Sequence, residues 1–241
     1  MENLVRETIK KIPGVYQTYR LTTSVALNLR NLVRKRLAWR IRAAYESVPV
    51  KKLHIGCGGN LLPRWLNADY FPSDAQAMHL DATKKFPLQT ATFDYVFSEH
   101  MIEHISYPDG LFMLKESWRI LKPGGKIRIS TPNLGFLLDL YSENKSPLQL
   151  DYIKWSGQTF LNCADASDVM IINNFVRAWG HLFIYDEKTL RQALERAGFV
   201  DIVSFAINQS TDPNLSNLEH DKRMPEGFLQ LESMTLEASK P

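Results

Sequence analysis

Apolar and polar positions alternate with two different periods from residue 50 onward. Short apolar runs predict buried strands at 50–55, 65–69, 93–98 and 126–131, with a shorter strand ending at Asp81. Apolar residues at three- and four-residue spacing predict helices over 108–121, which the turn sequence at 122–125 ends, and over 186–197. This alternation of strands and helices is typical of an α/β fold with a doubly wound, mostly parallel sheet.

The C-terminal part of the chain follows a different pattern. Segments 200–207 and 230–239 are predicted to be strands, and the polar segment 210–227 between them is predicted to be a loop. Because no helix is predicted between these two strands, we expect an antiparallel hairpin at the edge of a seven-stranded sheet. Residues 135–180 have the least regular pattern, and long insertions of this kind are often lids or binding loops. We therefore expect this stretch to be a lid or a substrate insertion.

Positive charge is concentrated near the N-terminus. Residues 1–48 contain 10 Lys and Arg against 3 Glu, a net charge of +7; since the whole chain carries +3, residues 49–241 carry −4. Segment 24–47 combines apolar residues at helical spacing with basic residues on its other faces, which predicts an amphipathic helix. Its apolar stripe either packs on the main domain or lies on an anionic membrane. We expect a basic, largely helical extension over 1–48 and a catalytic domain over 49–241.

Cysteine content and hydropathy bear on the compartment and the partners. Two cysteines, Cys57 and Cys163, make no disulfide framework, which suits a reducing cytoplasm. The sequence has no apolar run of about 18 residues and no secretory signal pattern. We expect a cytoplasmic protein, with peripheral contact at the inner face of a membrane if segment 24–47 serves that role. The acidic balance of the catalytic domain argues against a nucleic-acid partner.

A glycine-rich turn follows the first predicted strand. In the sequence Gly56-Cys57-Gly58-Gly59 the backbone can turn sharply, and a ligand can approach it without meeting a Cβ. The dinucleotide-binding fingerprint would need a glycine where Leu61 stands, and the Walker pattern is absent. The turn therefore indicates a ligand cleft at the carboxyl ends of the strands, with the ligand class left open.

Polar groups also follow the next three predicted strands. Asp69 and Tyr70 lie at the end of the second strand, and Asp69 could accept both hydroxyl hydrogens of a ribose. Asp81 and Ala82 follow the third, where the carboxylate could accept from an adenine amino group. The fourth ends in residues that would form the floor of the cleft, Ser98, Glu99 and His100. Since the carboxyl ends of parallel strands meet at one edge of the sheet, all these groups are expected to border one cleft.

Five segments together resemble class I S-adenosylmethionine-dependent methyltransferases with a Rossmann-like fold, in particular the small-molecule branch of the methyltransferase-11 type. The segments are 53–58, 67–69, 80–82, 93–100 and 121–126, and their order and spacing agree with that family. The resemblance implies that S-adenosylmethionine is the cofactor. It also implies that Gly56, Cys57 and Gly58 lie against the methionine portion, that Asp69 holds the ribose, and that Asp81 and Ala82 border the adenine. His54 is a departure, because many members carry aspartate there.

Two histidines are candidate catalytic residues for methyl transfer. Methyl transfer depends mainly on placing the nucleophile in line with the methyl group, and a hydroxyl acceptor also benefits from a general base. His100 ends the fourth strand and His181 follows the 135–180 stretch, so we predict both as catalytic residues, with a capping or anchoring role as the alternative for His181. Asn133 is predicted either to contact substrate or to cap a helix.

The same region raises the question of a metal. His100, Glu103, His104 and His181 could be assembled into a ligand set, but the order His-x-x-Glu-His is not the metalloprotease pattern His-Glu-x-x-His. We therefore expect no metal and a structural role for Glu103 and His104, and a divalent ion that assists a sugar diol is the alternative. From the resemblance, the expected acceptor is a small molecule, namely an oxygen of a sugar or glycan precursor. A lipid or quinone-like acceptor at a membrane surface is the first alternative, and a nucleic acid is the second.

Overall fold

The computed structural model describes Tyr45 and residues 47–241, which apart from Tyr45 belong to the unit Ser47–Pro241. A seven-stranded sheet in the order β3-β2-β1-β4-β5-β7-β6 forms its centre. Its strands are β1 Lys52–Ile55, β2 Leu66–Asp69, β3 Met78–His79, β4 Phe93–Glu99, β5 Leu121–Pro132, β6 Val200–Phe205 and β7 Ser233–Ser239. Strand β7 is antiparallel to both of its neighbours, and β1 to β5 pair in parallel. The predicted α/β, Rossmann-like sheet with an antiparallel C-terminal hairpin is confirmed.

Helices connect and flank these strands. They are α1 Tyr107–Ile120, α2 Leu134–Leu140, α3 Pro147–Phe160, α4 Asp168–Arg177, α5 Glu187–Ala197 and α6 Phe228–Glu232, with 3₁₀ turns at Ile102–His104 and Asp221–Arg223. The predicted α5 is confirmed at both ends: the Asp186 carboxylate accepts from the Thr189 N–H, and Gly198 closes the helix at φ +99°. Among the described residues, no helix has the length and apolar character needed to span a bilayer.

Two sequence-based predictions about secondary structure were wrong. The 135–180 stretch is not irregular, since it contains α2, α3 and α4, and the start of the predicted strand 230–239 belongs to helix α6. Both errors have the same physical cause. The apolar side chains of these helices pack on one another in a separate cluster, so their burial follows no single amphipathic stripe; its buried members are Phe136, Leu137, Leu140, Tyr152, Ile153, Ile171, Phe175 and Phe228. The predicted turn at 122–125 is the first part of β5.

The connections after β1 and β2 contain no helix in the described chain. Parallel strands are usually joined by a dozen or more residues that include a helix. The loop after Phe205 takes over part of the missing cover, because Leu215 and Leu218 pack with Trp65 and Phe97 on one face of the sheet. The predicted extension over 1–48 and its helix over 24–47 lie almost entirely outside the described residues, so the boundary at 48/49 stays a prediction.

A buried arginine holds that loop on the sheet. The side chain of Arg128 on β5 is fully buried, and its Nε and Nη2 donate to the two carboxylate oxygens of Glu219 at 2.7 and 3.1 Å. Its Nη1 donates to Glu237 on β7 and to the Gln209 carbonyl, and its Nη2 also donates to the Ala206 carbonyl. All five guanidinium N–H groups therefore have acceptors, and three of the acceptor residues belong to the loop.

Replacing Arg128 by methionine should lower the free energy of unfolding by about 3–5 kcal/mol, because Glu219 then stays buried without its counter-charge. Urea denaturation followed by circular dichroism measures this difference. The matched control is Lys122→Met, which removes an ion pair with Asp94 whose lysine side chain is 40% exposed; it should cost less than about 1 kcal/mol. Equal losses in the two variants would contradict the structural role given to Arg128.

Candidate active site

A cleft of about 720 Å³ opens where the first four strands end, and we call it the cofactor cleft. Six residues predicted to bind the cofactor line it, Gly56, Gly58, Asp69, Tyr70, Asp81 and Ala82. His100, Met101, His104 and Trp179 also line this cleft. The structure thus brings the predicted strand-end groups together at one edge of the sheet.

The glycine turn has the shape that close approach of a ligand requires. Gly56 has φ +72°, and a Cβ at this position would overlap the side chain of Met101. Gly58 has φ +50°, and no heavy atom of the described chain lies within 4 Å of the place its Cβ would take. Left-handed backbone is favourable mainly for glycine, so both positions need this residue. The open space at Gly58 fits the methionine portion of S-adenosylmethionine.

Asp69 and Asp81 are held by the backbone that follows each strand. The Asp69 oxygens accept from the Gly58 N–H at 2.9 Å and from the Phe71 N–H at 2.7 Å. Each carboxylate oxygen can accept a second hydrogen bond, so this fixed carboxylate can still accept from two ribose hydroxyls. Asp81 uses Oδ1 to accept from the N–H and the hydroxyl of Thr83, which leaves Oδ2 for an amino group. The site therefore fits the cofactor that the sequence predicts.

Three predicted cofactor residues are not brought to the lining of the cofactor cleft. Cys57 and Ser98 are buried, and burial raises the pKa of the Cys57 thiol to about 11. Glu99 shares one face of β4 with Phe97, the face that the loop after Phe205 covers. Its oxygens accept from the His220 N–H at 3.1 Å, and Arg223 Nη2 lies 3.7 Å away. A strand end in the sequence does not reveal which face a side chain takes.

His54, the departure from the family pattern, also points away from the cleft lining. It is 1% exposed, and its ring lies 5.0 Å from that of Phe97. Burial lowers its pKa to about 4, so it is neutral near pH 7, and its Nδ1 lies 3.3 Å from the Asn67 side-chain oxygen. This histidine therefore has a structural hydrogen bond beneath the glycine turn.

A second cavity, of about 400 Å³, adjoins the cofactor cleft, and we call it the aromatic cavity. Five aromatic rings line it, all from the stretch predicted as an insertion: Tyr152, Trp155, Phe160, Phe175 and Trp179. Its polar lining comprises His100, His104, Thr159, His181, Arg223 and Glu232. Sequence reasoning missed Arg223 and Glu232, because each lies in or beside a segment with no motif of its own.

His100 stands at the junction of the two cavities and lines both. Its backbone has φ +45°, a conformation that few non-glycine residues adopt and that is often found at functional sites. Its Nε2 lies 2.7 Å from the Ser233 hydroxyl, and its Nδ1 lies 3.4 Å from Glu103 Oε1. Burial lowers the pKa of His100 well below its ordinary value, so its ring is neutral near pH 7.

His181 lines the aromatic cavity in a defined tautomer. Its Nδ1 lies 2.6 Å from the Phe175 carbonyl, which can only accept, so Nδ1 carries the proton and Nε2 carries the lone pair. The ring centroids of His181 and His104 are 5.0 Å apart. Burial lowers the pKa of both rings, which keeps them neutral near pH 7. His181 thus combines an anchoring hydrogen bond at Nδ1 with an Nε2 lone pair that is free of this bond.

Glu103 lies fully buried below these histidines. Its Oε2 accepts from the Thr131 hydroxyl at 3.1 Å, while its Oε1 has no hydrogen-bond donor among the described residues. Burial raises the pKa of the Glu103 carboxyl to about 8. Asn133 lies outside both cavity linings; its side chain accepts from the Gly135 N–H at 2.9 Å and caps α2, so the capping alternative is confirmed.

Comparisons with known proteins give a consistent result. Residues 28–204 match a family model described as a methyltransferase domain. No curated protein matches the chain.

Among solved structures, the chain is similar to a SAM dependent methyltransferase from Archaeoglobus fulgidus, with a TM-score of 0.48 and 19% identity over 88% of this chain and 94% of that one. A second is a SAM-dependent methyltransferase from Thermotoga maritima described as a possible histamine N-methyltransferase (TM-score 0.45, 17% identity, 90% and 96% covered). A third is phosphoethanolamine N-methyltransferase 2 of Haemonchus contortus in complex with S-adenosyl-L-methionine (TM-score 0.43, 17% identity, 85% and 52% covered).

The family match extends over well more than half of the chain. The strand order 3-2-1-4-5-7-6 with an antiparallel β7 is the arrangement of class I methyltransferases. The chain therefore belongs to the methyltransferase domain family and is a class I S-adenosylmethionine-dependent methyltransferase.

Proposed function

We propose that this enzyme transfers the methyl group of S-adenosylmethionine to an oxygen of a small molecule held in the aromatic cavity. The observation that carries the proposal is the shared wall of the two cavities, since His100, His104 and Trp179 line both. A cofactor seated in the cofactor cleft and an acceptor seated in the aromatic cavity meet at these residues. In-line placement of the two reactants at such a junction supplies much of the rate enhancement of a group transfer.

The lining supports a sugar or glycan precursor as the acceptor. Aromatic faces can stack on the apolar C–H faces of a sugar ring, while Thr159, Arg223 and Glu232 offer a hydroxyl, a cation and a carboxyl to its hydroxyl groups. A pocket of hydrophobic and aromatic side chains with a few placed polar groups is typical of small-molecule sites. Five aromatic rings around one cavity equally suit a flat, quinone-like acceptor, which is the second candidate.

Two histidines are proposed to act on the acceptor. His100 lies at the junction, where the acceptor oxygen meets the methyl group, and we assign it the role of proton acceptor. His181 presents the lone pair of Nε2 to the aromatic cavity and orients the acceptor. Cys57, Ser98 and Glu99 support the cofactor cleft from behind its lining.

Cofactor binding should depend on Asp69. Asp69→Asn keeps the shape of the side chain but removes its charge, and hydrogen bonds to charged groups contribute about 1.5–3 kcal/mol, so affinity should fall about 10- to 100-fold. Isothermal titration calorimetry with S-adenosylmethionine measures the change. Asp74→Asn, an exposed carboxylate outside the cofactor cleft, is the control and should bind like the wild type. An unchanged affinity in Asp69→Asn would refute the ribose assignment.

Turnover should depend on both histidines. His100→Ala and His181→Ala should each lower kcat by about 10²–10⁴, the usual contribution of a positioned acid or base, while calorimetry finds S-adenosylmethionine affinity little changed. His220→Ala, which alters an exposed imidazole outside both cavities, is the control and should retain wild-type kcat. Wild-type turnover in both cavity variants would remove the histidines from the mechanism.

The acceptor class can be read from a labelled-methyl transfer assay. The full chain is incubated with methyl-labelled S-adenosylmethionine and, in separate arms, sugars and nucleotide sugars, hydroquinones, phospholipid vesicles and RNA. We expect a methyl ether in the sugar arm. Product in the hydroquinone arm alone would select the second candidate, and product confined to vesicles or RNA would overturn the proposal.

A further inference from the structure

Three side chains converge at the wall between the cofactor cleft and the aromatic cavity. Glu103, His104 and His181 each present one ligand atom, and these atoms all lie within 4.8 Å of one another. We call this group the His-Glu cluster. It combines two neighbours in sequence with a histidine from beyond helix α4, so no sequence motif contains all three.

One oxygen of the buried Glu103 carboxyl has no partner within the cluster. Glu103 Oε1 lies 3.4 Å from His100 Nδ1 and 3.9 Å from His104 Nε2, and it has no hydrogen-bond donor among the described residues. A buried carboxylate oxygen without a partner is costly. Arg223, a cation in the lining of the aromatic cavity, lies 3.7 Å from Glu99. A cation bound at the cluster would give Glu103 Oε1 the partner that it lacks.

Hydrogen bonds to neighbouring groups hold the side chains of the cluster and leave the proposed ligand atoms free, as is usual for metal ligands. His181 donates from Nδ1 to the Phe175 carbonyl, so its Nε2 is free to bind. The Nε2 of His104 lies 3.9 Å from Glu103 Oε1. The Thr131 hydroxyl donates to Oε2 of Glu103 and leaves Oε1 toward the histidines. Metal-binding imidazoles and carboxylates are typically fixed by such outer contacts.

We propose that Glu103, His104 and His181 bind one divalent transition-metal cation whose remaining position faces the aromatic cavity. Two imidazoles and one carboxylate around an open position form a donor set used by catalytic zinc and by iron(II). Magnesium prefers oxygen ligands and suits the cluster less well. The sequence led us to expect no metal, because the order of these residues is not the metalloprotease pattern.

The cation has a role in the reaction that rests on the proposed function. An acceptor hydroxyl bound at the open position has a lowered pKa, and His100 lies beside Glu103 to receive its proton. The acceptor oxygen then forms the O–CH₃ bond as the S–CH₃ bond breaks, and the sulfonium becomes a neutral thioether. On this inference His181 Nε2 binds the cation and orients the acceptor through it.

Metal binding is tested on the full chain after treatment with a chelator. Zn²⁺ and, separately, Co²⁺ are added as the metal alone; bound metal is counted by equilibrium dialysis with elemental analysis, and Co²⁺ is also followed by its visible absorption. The wild type should bind one equivalent with the intense absorption of a four-coordinate site. Glu103→Gln, which preserves side-chain shape, and His181→Ala should each weaken binding at least about 100-fold, beyond the loss typical of outer-contact variants.

The control His220→Ala keeps every proposed ligand and should bind metal like the wild type. Circular dichroism identifies any variant that fails to fold. If His181→Ala does not fold, metal binding by Glu103→Gln is the deciding measurement. Binding that both cluster variants retain would mean an adventitious ion only and would overturn the inference. Absence of binding to the wild type would overturn it as well. The acceptor assay separates the two proposals. One equivalent of metal lost in the variants supports the site even if no sugar or hydroquinone is methylated. Methyl transfer at full rate by a chain that binds no metal overturns the site and leaves the proposed function standing.

Discussion

The buried contact between Arg128 and Glu219 is the constraint on which one wall of the aromatic cavity depends. It fastens the loop after Phe205 to the sheet, and the next residue, His220, then donates its N–H to Glu99 at the end of β4. Three residues further on, Arg223 reaches the aromatic cavity. An ion pair deep in the sheet therefore determines the position of a wall of the aromatic cavity.

The two cavities have different structural origins. The cofactor cleft is formed largely by the ends of parallel strands, whose positions follow from the backbone hydrogen bonds of the sheet. The aromatic cavity is formed by helices α3 and α4 and the segments beside them, which pack as a separate apolar cluster. Side chains of the cavity can change without disturbing the sheet, so under the proposed function acceptor specificity and cofactor binding depend on largely separate parts of the chain.

The strands, the glycine turn and the acids of the cofactor cleft could be predicted because their signals are local. A β-strand shows its burial in a short run, and Gly56 and Gly58 mark a turn that few other residues could form. Asp69 ends its strand and Asp81 lies two residues beyond the next, so knowing the strands was enough to place them. Helix α5 was predicted to within one residue because Asp186 and Gly198 mark its ends.

The remaining features depend on contacts between residues far apart in sequence. Nothing near Arg128 indicates that Glu219 will be its partner, and nothing near His104 indicates that His181 will lie beside it. The three helices of the 135–180 stretch escaped prediction because they bury aromatic residues against one another. Ser98 and Glu99 were located correctly along the chain, but strand alternation and the covering loop decide which way they face.

The missing helices after β1 and β2 have a consequence for the kinetic order of the reaction. The rim of the cofactor cleft on that side is formed by Tyr70 and Phe71, which are 50% and 69% exposed. The aromatic cavity lies on the other side of His100 and Trp179. Under the proposed function, the spent cofactor therefore has a route to solvent that does not pass through the aromatic cavity. The two products can then leave in either order, which their relative residence times set.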